Sequence, residues 1–93
     1  MIEILWSPEA IADLESIREF INRDSTHYAD LVVEQLIEAV QRLATFPESG
    51  RVVPEFANST LREVVWRGYR LVYRFDSRRV EIATVFHGSR ALP

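Results

Sequence analysis

Residues Leu61–Arg90 read LREVVWRGYRLVYRFDSRRVEIATVFHGSR, and this stretch decides the fold. Three short runs rich in Val, Ile, Tyr, Phe and Trp are separated by Arg67-Gly68 and by Asp76-Ser77-Arg78. Such spacing predicts three antiparallel strands joined by tight turns, a meander. Gly68 can take the positive φ that a two-residue hairpin loop needs, with Trp66 and Tyr69 as the closing pair. Strict alternation then sorts the side chains into two faces. Tyr69, Leu71, Tyr73 and Phe75 share one face, and Arg70, Val72 and Arg74 the other. In the last run Val80, Ile82, Thr84 and Phe86 oppose Glu81, Ala83, Val85 and His87. One face is apolar enough to pack on helices. The second carries arginines, a histidine and a glutamate over a partly apolar floor, and any chemistry or partner contact is expected there.

Working outward, Ile2, Ile4 and Trp6 form a short first strand. Ser7-Pro8-Glu9 then opens a helix: serine caps, proline takes the first helical position, and the acid complements the dipole. Ile11, Leu14, Ile17 and Ile21, widened by Phe20, set its apolar stripe over about residues 8–23. Asp24-Ser25-Thr26 ends it and caps a second helix over 26–46. There Val32, Leu36, Ala39, Leu43 and Phe46 adjoin a second stripe of Val33, Ile37, Val40 and Ala44. Pro47 stops that helix, and an irregular connection of roughly 14 residues follows, long for so small a domain. The expected architecture is α+β, one domain over residues 1–93. An N-terminal strand and a helical hairpin lie on one face of an antiparallel sheet completed by the C-terminal meander.

Charge divides the chain more sharply than its net −3 suggests. Residues 1–46 hold three arginines against nine acids, a net of −6; residues 47–93 hold eight arginines against five acids, a net of +3. There is no lysine. The helical half is acidic and the sheet half basic, an unpromising balance for non-specific nucleic-acid binding. The arginines of the open face either pair with Glu63 and Glu81 or hold a phosphate or carboxylate bidentately. With no cysteine, neither a disulfide framework nor a thiolate metal site is available, and no metal or cofactor is expected. No run approaches the ~18 apolar residues of a membrane span. The start, M-I-E-I-L-W-S-P-E, lacks the pattern of a signal peptide, so a cytoplasmic location is expected.

Several segments, in order, resemble the RelE/ParE toxin superfamily of type II toxin–antitoxin systems. They are WSPEAIADLESIREFI, FPESGRVVPE, LREV, YRLVYR and VEIATVFHGSR, together spanning Trp6 to Arg90. The resemblance implies the same α+β arrangement and a cognate ParD- or RelB-like antitoxin, hence a hetero-oligomeric complex. The superfamily holds ribosome-dependent mRNA endonucleases and proteins that poison DNA gyrase. In the first class Arg70 would contact phosphate, His87 would be catalytic, and Glu55 could act as base. The absence of lysine, Gly88 after the histidine and the HGxR ending are more like ParE-type, "plasmid stabilisation" members. The resemblance therefore implies a non-enzymatic toxin directed at DNA gyrase. Its partner contacts are expected at Arg62, Trp66, Tyr69, Arg70, Arg74 and His87. The ribosome and mRNA are the alternative targets.

Overall fold

A computed structural model describes residues 2–56 and 60–88. The elements are β1 (Glu3–Trp6), α1 (Pro8–Asn22), α2 (Thr26–Gln41) with a 3-10 turn at Arg42–Ala44, β2 (Arg51–Val52), β3 (Leu61–Trp66), β4 (Tyr69–Phe75) and β5 (Arg79–His87). The sheet runs β1-β5-β4-β3-β2. The meander pairs antiparallel as its turn chemistry demands, and Trp66 closes on Tyr69. Arg67 and Gly68 both have positive φ, 47° and 85°, the geometry of a type I′ hairpin.

Two features depart from the expected sheet. β1 lies parallel to β5, so the sheet is mixed rather than wholly antiparallel. Within the long connection, Arg51–Val52 forms a short edge strand on β3, too brief to leave an alternating pattern. Both helix starts are capped as anticipated: Ser7 Oγ accepts from the Ala10 N–H and Ser25 Oγ from the Tyr28 N–H. An exposed ion pair between Arg18 and Asp30 ties the two helices together.

The main core lies between the helical hairpin and one sheet face. Val32, Leu36, Val40 and Leu43 of the second helix and its 3-10 turn meet Leu71, Tyr73, Val80, Ile82 and Val85. Phe46 and Ile11, placed in the apolar stripes by spacing, are instead exposed, because the second helix gives way to a 3-10 turn at Arg42 and α1 seats its Ala10–Leu14–Ile17–Ile21 edge. Fully buried Tyr73 also fastens the connection. Its hydroxyl donates to the Pro47 carbonyl at 2.7 Å and accepts from the Gly50 N–H at 2.9 Å. A Cβ at residue 50 would stand 2.5 Å from that oxygen, which is why glycine occupies this close approach.

Candidate functional site

The face away from the helices has a small core of its own, Val53, Val72 and Phe86 with Leu61 against it. Cross-strand pairing of Glu63 with Val72 and of Val65 with Arg70 puts Glu63 and Arg70 on this face together. The Glu63 side chain is completely buried, and each of its oxygens accepts one short bond. Arg70 Nε donates to Oε1 and Arg51 Nε to Oε2, both at 2.6 Å. A carboxylate tolerates such burial only because charge-assisted bonds replace its water. Arg70 turns both its Nη groups to the loop. Nη1 and Nη2 each meet an oxygen of Glu55 at 2.7 Å, while the guanidinium sits 5.2 Å from the Phe86 ring centroid.

Those two hydrogen bonds from Arg70 hold the Glu55 carboxyl far below its ordinary 4.5, at about 2, and the same contacts raise the arginine. Since the folded-state value is depressed, the contact contributes fully above about pH 4.5 and is lost only as pH falls through about 2. A carboxyl-carbon titration of the folded protein is therefore expected to place the Glu55 midpoint near 2. In Arg70→Gln it should return toward 4.5. So weak a base is poorly matched to proton abstraction at neutral pH.

Arg74, 66% exposed, stands at the far end of the same face, 3.9 Å from Glu81. The remaining sequence-derived contact residues lie on the other face. Arg62 pairs with Tyr73 and Trp66 with Tyr69, so both share the helix side of the sheet. Arg62 Nη1 donates to the Glu48 and Gly50 carbonyls and its guanidinium approaches the Phe75 ring, fastening the connection. Trp66 stacks on Tyr69, Tyr69 meets the edge of His87 at 5.4 Å, and the Arg67 guanidinium covers the Trp66 indole. A groove of about 560 Å³ opens beside them, lined by Asp13, Ile17, Phe20, Tyr69 and His87 among others.

The position of His87 corrects the alternation expected for the last strand. Val72 pairs with Thr84 but Tyr73 with Ile82, so Ala83 is one residue too many for the partner strand. This β-bulge reverses the facing of everything after it. Val85 and His87 turn to the helices with their partners Leu71 and Tyr69, and Phe86 turns to Arg70. Side chains at the start of α1 hold the bulge. Ser7 Oγ donates to the Ala83 carbonyl at 2.9 Å. Asp13 Oδ2 accepts from Thr84 Oγ1 at 2.7 Å and from the Val85 N–H at 3.0 Å. Arg70 and His87 are thus on opposite faces of one sheet.

The structure brings together Glu55 and Arg70, and separately Trp66, Tyr69 and His87. It adds Arg51 and Asp13, for which neither spacing nor residue type gave a signal. Among the described residues no cluster of three His, Cys, Asp or Glu side chains could hold a metal, and no helix is long and apolar enough to cross a membrane.

The family model for the ParE toxin of the type II toxin–antitoxin system parDE matches residues 4–92. The chain belongs to the ParE toxin family. Toxin RelE2 of Caulobacter vibrioides is 35% identical to this ParE-family chain over 91 residues, covering 97% of the chain and 99% of RelE2. Two solved structures share the fold at 19% identity. The chromosomal ParDE system of P. aeruginosa superposes with a TM-score of 0.77, over 94% of this chain and 96% of that one. The RelBE2 toxin–antitoxin complex of Mycobacterium tuberculosis gives 0.69, over 92% and 96%. This ParE-family protein is therefore a type II toxin of the RelE/ParE superfamily, with its two helices on a five-stranded mixed sheet.

Proposed function

We propose that this toxin acts in the cytoplasm by gripping DNA gyrase rather than by cutting RNA, and that a ParD-like antitoxin silences it. One observation carries the reading: Arg70 and His87 occupy opposite faces of the sheet. Cleavage by attack of a 2′-hydroxyl needs a base, an acid and a cation converging on one phosphate. The acidic helical half also opposes approach to dense RNA. By contrast Trp66, Tyr69, Arg67 and His87 offer aromatic and arginine surface, the usual anchors of a protein interface. Arg62, Arg70 and Arg74 would add contacts from either side. An antitoxin partner is supported by the solved relatives, which are toxin–antitoxin assemblies.

Toxin freed of antitoxin is expected to inhibit gyrase supercoiling, antitoxin to restore it, and Trp66→Ala to weaken inhibition about tenfold, as for an interface anchor worth more than 1 kcal/mol. Undiminished supercoiling at excess toxin would exclude gyrase. The second reading, a ribosome-dependent mRNA endonuclease, is favoured by the 35% identity to a relative named RelE2.

A further inference from the structure

Buried Glu63 does more than neutralise its neighbours. Because Arg51 and Arg70 both reach it through Nε, it fixes two guanidiniums side by side on the open face. Arg70 presents its Nη pair to Glu55, and Arg51 keeps 60% of its side chain in solvent, where among the described residues its Nη groups meet no acceptor. A groove of about 300 Å³ runs between them, lined by Arg51, Pro54, Glu55, Val65, Arg70 and Gly88. Two arginines against one buried carboxylate leave a charge of +1, and Glu55 cancels it. Arg70 is nine-tenths buried, whereas Glu55 is 40% exposed on a loop turn closed by the Phe56 N–H to Val53 carbonyl bond. The seat is therefore fixed and its present occupant is the removable part.

We propose that Arg70 and Arg51 form a receiving site for a carboxylate of a partner protein, and that Glu55 fills this site in cis until the partner's acidic side chain displaces it. The inference rests on the reading that the toxin's partners are proteins. Exchange of one planar carboxylate for another keeps both fork bonds and the charge balance, so its cost is confined to moving the Glu55 side chain and the exposed Pro54–Phe56 tip of its turn. A competitor held in cis lowers apparent affinity by the fraction of molecules in which the seat is closed. A nucleic-acid strand fits less well, because it binds through a track of cations that neutralise successive phosphates, whereas this seat offers only Arg70 and Arg51, whose charge after Glu63 is +1.

The test follows the Arg70 Nε–H resonance in the full-length toxin, in wild type, Glu55→Ala and Glu55→Gln, at matched ionic strength. The probes are tetraglutamate and a single-stranded tetranucleotide. Tetraglutamate is expected to bind Glu55→Ala at least tenfold tighter than wild type, with Glu55→Gln in between and no comparable gain for the tetranucleotide. If neither Glu55 variant gains affinity while its amide spectrum stays native, Glu55 is a structural clamp and the site is refuted. A larger gain for the tetranucleotide would overturn the carboxylate assignment. Neither result depends on supercoiling, so failure of the gyrase reading would be seen separately.

Discussion

Glu63→Ala is expected to cost about 3 kcal/mol, the low end of the range for breaking a buried ion pair by removing one partner. The loss arises mainly at Arg70, whose side chain is nine-tenths buried and would keep only Glu55 as counter-charge. Arg51 is largely in water and contributes little. For a domain of this size each kcal/mol lowers Tm by roughly 4–8 °C, so the melting temperature should fall by roughly 12–24 °C. Replacing the pair together, as Glu63→Leu with Arg70→Met, should recover most of the loss, because apolar side chains need no counter-charge. Thermal melts of the two single variants and the double variant check this. A loss below about 1 kcal/mol for Glu63→Ala would mean that water reaches the pair and that it behaves like a surface contact.

Asp13→Ala should be the second costly change, at about 2–3 kcal/mol. One carboxylate oxygen accepts from both the Thr84 hydroxyl and the Val85 N–H, and the latter is a backbone donor of β5 just past the bulge, beyond Ile82 where the pairing with β1 ends. An unsatisfied buried donor costs roughly 1–3 kcal/mol, and bonds to a charged acceptor lie at the upper end. Asp13→Asn keeps one acceptor oxygen and should lose about half as much. Beyond stability, the ring of His87 should lose its edge contact with Tyr69 as the end of β5 relaxes. Denaturant unfolding and amide exchange at Val85 measure both effects. A change below about 0.5 kcal/mol with unaltered exchange would mean that Ser7 and the sheet hold the bulge unaided.

Most of the scaffold is legible in the sequence because its signals are local. Arg67-Gly68 between apolar runs specifies a hairpin, Ser7-Pro8 and Ser25 specify helix starts, and the spacing of Val32, Leu36, Val40 and Leu43 specifies the buried side of the second helix. The candidate site is less legible for a physical reason. Alternation counts residues along one strand, and a bulge inserts one silently, so the count places His87 on the face of Arg70 when it stands opposite. The side chains that sustain the bulge, Ser7 and Asp13, lie more than 70 residues upstream. Likewise no period relates Glu55 or Arg51 to Arg70. They meet because Tyr73 and Arg62 fold the connection back onto β3, a tertiary event. The pairing of Glu63 with Arg70 was open to cross-strand reasoning, whereas the complete burial of that carboxylate was not.

The most direct measurement is primer extension on messenger RNA under translation by purified ribosomes, with antitoxin-free toxin added. A sheet that separates Arg70 from His87 should produce no toxin-dependent cuts at any codon. Cuts placed by codon and abolished in Arg70→Ala or His87→Ala would contradict it, and would show that the two faces serve one reaction after all.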